Sequence, residues 1–291
     1  MAVRRLVPAL FVLSLCVAGL RAQQQVTLLA TVLDPEKGTP VETLTPADVF
    51  VSEDGVAAKV VKVDVLVRTV KVQVLIDNGI GMGQNLAELR NGVRHLIEAL
   101  PPDVETTVVT TSPQPRVLVK ATNNREELLR GIDRLTPDSG TGRFTESMTE
   151  AAERANKEKD VFTVIIAAGT TSGDGHIREV HTKRLFEQVR GKPIIVHVLM
   201  YAGERSATGG DMQIEVGQVM ARMTGGRYEF INNLSRYATL LPEFAADVAT
   251  QVKGSTRQFR ITVQRPEGKS GNLGKLGMSA GARVVASVRV E

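Results

Sequence analysis

Val70-Lys71-Val72-Gln73-Val74-Leu75-Ile76-Asp77-Asn78-Gly79-Ile80-Gly81-Met82 decides how the rest of the chain is read. Val70 to Ile76 is mostly apolar and rich in β-branched residues, which fits a buried strand. Asp77 ends it, small residues follow, and Leu86, Leu89, Val93, Leu96, Ile97 and Leu100 then recur at helical spacing until Pro101-Pro102 stops the run. A strand, a small-residue turn and an amphipathic helix make the opening unit of a doubly wound sheet.

The same alternation continues outward. Thr106 to Thr110 and Arg116 to Lys120 read as strands, and Asn124 to Leu135 and Glu146 to Lys157 as helices. Val161 to Ala167 and Ile194 to Met200 are nearly continuous apolar runs, as expected of strands covered on both faces. Val180, Leu185, Phe186 and Val189 mark a helix between them, and Ile214 to Met223 marks another. The expected class is α/β, with a doubly wound and mostly parallel sheet.

On the N-terminal side, Val26 to Leu33 reads as a strand, Thr45-Pro46 as a capped turn, and Val49 to Ser52 with Ala57 to Val67 as a hairpin around Glu53-Asp54-Gly55. On the C-terminal side, a helix from about Leu234 to Val252 precedes strands at Gln258 to Gln264 and Arg283 to Val290, with loops and a flexible hairpin expected over Gly268 to Gly281. The expected division is a leader over 1–22, a β segment over 23–68, the α/β unit over 69–235, and a helix with a β segment over 236–291. The two β segments flank the core and are free to pack together as one small sandwich.

Met1 to Ala22 reads as a secretory signal peptide. Arg4 and Arg5 precede an apolar stretch, Leu6 to Leu20, which contains Pro8 and is too short to span a bilayer. Cleavage before Gln23 removes Arg21 as well and leaves 33 Lys and Arg against 32 Asp and Glu, a balance that predicts no nucleic-acid surface. It also removes Cys16, the single cysteine among 291 residues, and with it any disulfide, thiolate metal site or cysteine nucleophile. The product is expected to be exported, periplasmic or extracellular, with no stable membrane span after cleavage.

The Asp77 loop, an Asp closing an apolar strand with small residues and a helix behind it, resembles the metal-ion-dependent adhesion loop of von Willebrand factor A domains. Leu44 to Gly55, Thr122 to Leu135 and the Gln258 to Gln264 strand are similar to a bacterial secreted branch of that family, the VWFA-related proteins of the acidobacterial type. The resemblance covers most of residues 26 to 265. It implies a von Willebrand factor A fold and a role in binding another protein. It also implies a site where an Asp-x-Ser-x-Ser loop, a Thr from a second loop and an Asp from a third surround a hard divalent cation.

This sequence departs from that pattern. Gly79 and Gly81 stand at the two Ser positions, and Ala167-Ala168-Gly169 stands where the third carboxylate is due. Thr141 and Thr145 are near the second-loop Thr without aligning cleanly, and Asp174 comes several residues late. Mg²⁺ asks for near-octahedral oxygen ligands, so a degenerate site without bound metal or cofactor is expected, Asp77 being its one retained ligand. Asp77 is then read as a helix cap.

Other chemistry finds little support. His176 and His181 are five apart and share no helical face, while His95 and His197 fall within apolar patterns. No Gly-x-Ser-x-Gly elbow occurs, and Gly79-Ile80-Gly81-Met82-Gly83 lacks the remaining features of a dinucleotide loop. Thr170 to His176 is either a solvated connection or a binding loop. The expected function is an exported protein–protein interaction module that is not an enzyme. Its contact face is formed by Asp77, Asn78, Gly79, Gly81, Thr141, Thr145, Thr170, Thr171 and Asp174. The alternatives are a metal-dependent adhesin using Asp77 with a rebuilt coordination shell, and a structural role in the envelope.

Overall fold

A computed structural model describes residues 24–34, 36–37, 40–172, 178–202, 210–255, 257–269, 276–279 and 284–290. The expected leader and Asp174 therefore lie outside the described residues.

The chain opens with β1 (Gln25–Leu33), then a 3-10 turn at Pro46–Asp48, where the Thr45 amide and hydroxyl both donate to the Asp48 carboxylate. The hairpin β2 (Phe50–Glu53) and β3 (Val56–Leu66) turns at Asp54 and Gly55, with φ of 50° and 80°. Both residues are left-handed, as a two-residue hairpin with the right twist requires.

β4 (Thr69–Ile76) starts the α/β unit and leads through a 3-10 turn at Gly83–Asn85 into α1 (Leu86–Ala99). Next come β5 (Glu105–Thr110), β6 (Arg116–Thr122), α2 (Arg125–Asp133) and α3 (Phe144–Asn156). β7 (Val161–Thr170), α4 (Glu179–Val189), β8 (Ile194–Tyr201), α5 (Gly210–Thr224) and β9 (Tyr228–Ile231) complete the sheet. α6 (Tyr237–Ser255) and strands β10 (Gln258–Gln264), β11 (Leu276–Ser279) and β12 (Val284–Val290) follow.

The strand order β6-β5-β4-β7-β8-β9 is parallel throughout except for β6, which runs antiparallel to β5 at the edge. Side chains alternate across it. Val70, Val72, Val74 and Ile76 of β4 enter a core with α1, α2 and α6, while Leu75 packs on the opposite side with α3, α4 and α5. Strands covered on both faces explain the apolar runs. Gln73 is the exception on the α3 side. Its amide donates to Ala151 O at 2.9 Å and its carbonyl accepts from Arg154 at 3.1 Å, so no polar atom of it is left bare.

The flanking strands form one further sheet, antiparallel and curled, in the order β11-β2-β3-β10-β1-β12. β1 from the beginning of the chain lies between β10 and β12 from its end, with Leu28 opposite Ile261 and Val290. One face carries a separate core of Leu28, Ala30, Val32, Val51, Phe259 and Ile261. The two flanking segments are thus joined strand to strand in a single sheet. α6, grouped with the C-terminal segment in the sequence reading, contributes Tyr237, Leu241, Phe244 and Val248 to the α/β core.

One strand falls outside the expected pattern. β11 lies in the stretch expected to hold loops and a flexible hairpin and pairs with β2, whereas β9 adds a parallel edge strand where none was expected. β9 becomes possible because Gly226 passes against β8. A Cβ there would stand 2.0 Å from the Val196 carbonyl oxygen, so only glycine admits the approach. No helix among the described residues is long and apolar enough to cross a membrane.

Candidate functional site

The carboxyl ends of β4, β5 and β7 are tied together through the backbone. The Asp77 amide donates to Ala168 O at 2.9 Å, and the Thr111 amide to Ile76 O at 3.0 Å. Ile80 N donates to Gly140 O, Asp138 N to Asn78 O, and Arg143 N to Thr111 O. Three loops thereby meet over the end of β4.

Asp77 is at their centre and is buried. Its Oδ1 accepts from the Gly79 amide at 2.9 Å and from the Ser112 hydroxyl at 3.4 Å, and its Oδ2 accepts from the Thr170 hydroxyl at 2.8 Å. Burial pushes its carboxyl above the usual range, and the Gly79, Thr170 and Ser112 donors pull against that shift. Tyr237 reaches the same region from α6. It is fully buried, its hydroxyl is 4.0 Å from Met82 Sδ, and its phenol is held well above the usual range by burial first and then by the Asp77 charge.

The expected helix-cap role for Asp77 is corrected here. The 3-10 turn at Gly83–Asn85 separates it from α1, whose N-cap position is Asn85. Asp77 instead fastens its own loop to the ends of β5 and β7. The last of these contacts exists because β7 runs on through Gly169 to Thr170, past the Ala167 end expected from the apolar run.

The two glycines at Ser positions are explained by crowding. A Cβ on Gly79 would lie 2.4 Å from Ser112 Oγ and 2.6 Å from Gly140 O. One on Gly81 would lie 2.2 Å from both Cβ and Oγ of Ser172 and 2.6 Å from Thr170 Oγ1. Gly142 closes the third side, since its Cβ would stand 2.7 Å from the Asp77 carboxylate. Side chains of other loops fill the room that two serines would need.

Of the expected contact face, Asn78, Thr145, Thr170 and Thr171 are buried along with Asp77. Asn78 is internal bracing: its amide donates to Thr136 O at 3.0 Å and its Oδ1 accepts from the Ser112 amide at 3.2 Å. The Asp77, Asn78 and Thr170 side chains hold the loops and offer little surface to a partner. Exposed residues on this edge include Ile80, at 62%, and Thr141, with Pro113 and Gln114 beside them and Thr136, Pro137 and Ser139 on the same loop as Thr141. Ser112, Gly142 and Tyr237 were not foreseen as site residues. For Ser112 a signal existed in Thr110-Thr111-Ser112-Pro113, a polar break after an apolar strand on the same sheet edge.

A hard divalent cation of the kind the resemblance implies does not fit this donor set. Both carboxylate oxygens of Asp77 already accept from protein donors, the Ser112 and Thr170 hydroxyls that reach it are neutral, and the nearby Gly140 carbonyl already accepts from the Ile80 amide. Among the described residues, no group of three or more His, Cys, Asp or Glu could hold a metal ion. A cation here would have to break the contacts that join the loops.

The histidines lie elsewhere. His197 is buried on β8, its Nδ1 accepts from the Arg227 amide at 3.2 Å, and its ring lies 5.3 Å from that of Phe244. Burial, followed by the nearby Arg227 charge, lowers its pKa to about 4. The unfolded chain then binds a proton below pH 6.5 that the folded chain refuses, so stability falls as pH drops from 6.5 towards 4. This group alone should cost about 2 kcal/mol between pH 7.5 and pH 5. Urea unfolding at the two pH values measures it, and His197→Gln should remove that part of the difference. An unchanged pH difference in the variant would contradict the assignment.

Residues 72–170 match the family described as von Willebrand factor type A domain. Among solved structures, a von Willebrand factor type A protein from Catenulispora acidiphila superimposes with a TM-score of 0.55 at 11% identity, covering 93% of this chain and 74% of that one. The conserved hypothetical protein BatB from Bacteroides thetaiotaomicron gives a TM-score of 0.46 at 15% identity, covering 64% of this chain and 99% of its own. No curated protein matches the chain. The α/β unit therefore has the von Willebrand factor A fold, with a mostly parallel sheet and an additional antiparallel sheet beside it.

Proposed function

We propose that this chain is an exported protein–protein interaction module of the bacterial secreted type, working without a bound metal ion and without catalysis. The observation that carries the reading is the engagement of both Asp77 oxygens by protein donors, from its own loop, the turn after β5 and the end of β7. Such bracing fixes the outer edge of the loops in one shape. Pre-ordered loops lose less entropy on binding than mobile ones.

The contact surface is then the exposed tip around Ile80 and Thr141, a small apolar centre with a polar neighbour. Burial of Asp77, Thr170 and Thr171 keeps their oxygens from any substrate, which supports the non-catalytic reading.

A photo-crosslinking residue in place of Thr141, in the cells that make the protein, should capture a discrete partner. Ile80→Asp should cut that yield severalfold, and because Ile80 is exposed the melting temperature should stay within about 2 °C. No discrete product, or full yield from Ile80→Asp, would overturn the proposal.

A further inference from the structure

A cleft of about 500 Å³ opens beside these loops, between α3, α4 and the turn after β5. Its wall carries Glu146, Glu150 and Glu153 on one face of α3, Arg143 at the start of that helix, and Arg184 on α4. Like charges at i and i+4 disfavour a helix, so a stripe of three carboxylates is a cost to α3 unless cations answer it.

The answer is incomplete. Arg184 answers Glu153 with two contacts, at 2.6 and 3.0 Å. Arg154 stands 3.5 Å from Glu150. Glu146 has no ion pair among the described residues. Burial raises the Glu150 carboxyl above its ordinary range; Arg154 pulls it down, and Glu146 and Glu153 push it further up.

A second feature points to a ligand. Thr145 lines the cleft at 1% exposure, and its hydroxyl has no hydrogen-bond partner among the described residues. A buried hydroxyl without a partner is costly, and here it lines the same cleft as Glu146, the carboxylate left without an ion pair among the described residues. Arg143 uses its Nε on Pro113 O at 3.3 Å and makes no ion pair among the described residues, so its remaining N–H groups can donate outward. Carboxylates for a cationic head, with a guanidinium and a hydroxyl for carbonyl oxygens, suit a basic residue on an extended peptide.

We propose that this cleft takes a Lys or Arg side chain of the partner protein, with its ammonium or guanidinium between Glu146 and Glu150 and its peptide carbonyls towards Arg143. The inference rests on the interaction reading above and names the chemistry of the partner. The volume fits, since pockets for small ligands run from about 300 to 1,000 Å³.

The test is an amide-resolved NMR titration of the whole chain with Nα-acetyl-lysine methylamide and Nα-acetyl-arginine methylamide, using the glutamate analogue as control. Saturable shifts are expected from one of the basic probes at residues 143–153 and 181–184, and none from glutamate. Glu146→Gln/Glu150→Gln should weaken binding about tenfold or more, as loss of charge-assisted contacts does. Its melting temperature should hold or rise, because repulsion along α3 is relieved. Absence of saturable shifts, or equal binding by the double variant, would overturn the cleft. Crosslinking from position 141 separates the two ideas. A captured partner that the double variant keeps at full yield overturns the cleft and leaves the module standing. A wild type that captures nothing overturns the module, and the titration then judges the cleft alone.

Discussion

Asp77→Ala should cost the fold about 3–5 kcal/mol, because a buried amide and two buried hydroxyls lose their acceptor together. The Gly79 amide is in Asp77's own loop, Ser112 Oγ in the turn after β5 and Thr170 Oγ1 at the end of β7, so one substitution loosens all three segments. At roughly 2–4 °C per kcal/mol for a chain of this size, the melting temperature should drop by about 10 °C. What Asp77 supplies is acceptor geometry more than charge. Burial already holds its carboxyl up against three donors, so the ionised form is under strain in the folded state. Asp77→Asn keeps the shape and one oxygen and should cost only about 1–2 kcal/mol. Equal stability of wild type and Asp77→Ala would contradict the bracing role.

Gly79→Ser/Gly81→Ser is the second large effect. It rewrites the loop as Asp-x-Ser-x-Ser, which by pattern alone ought to restore a cation site. The packing predicts the opposite. The new Cβ atoms would stand 2.4 Å from Ser112 Oγ, 2.6 Å from Gly140 O and 2.2 Å from Ser172. Overpacking costs about 1–3 kcal/mol at each position, so the double variant should lose about 4 kcal/mol or more. Part of the Gly79 clash is with backbone, which no rotamer change relieves. Ile80→Ser, between the two glycines but exposed, should be nearly neutral and serves as the control. A double variant that melts like wild type and gains stability from Mg²⁺ would show that the space is open after all.

Much of the α/β sheet is legible in the sequence, because its central strands are covered on both faces. Val70 to Ile76, Val161 to Ile166 and Ile194 to Met200 stand out as apolar runs, and helical spacing marks what lies between them. β9 is four residues long and rests on the close passage of Gly226 past Val196, which a linear reading does not show. The joining of β1 to β10 and β12 spans almost the whole chain, so no local pattern announces it.

The site was half legible. Asp77 is visible as a carboxylate ending a strand, and the two glycines as missing hydroxyls. Threonines at strand ends look exposed in a sequence, whereas Thr170 turns inward because Asp77 needs a donor there. Ser112 belongs to a loop 35 residues away, so only the fold brings it to Asp77.

The central claim, a loop cluster closed by protein donors instead of a cation, is tested most directly by melting the purified chain in chelator and then in Mg²⁺, Mn²⁺ or Ca²⁺. A cation at about 100 times its Kd would add about 2.7 kcal/mol, a shift of several degrees. The account predicts the same melting temperature in all four conditions; a rise of that size, lost in Asp77→Asn, would contradict it.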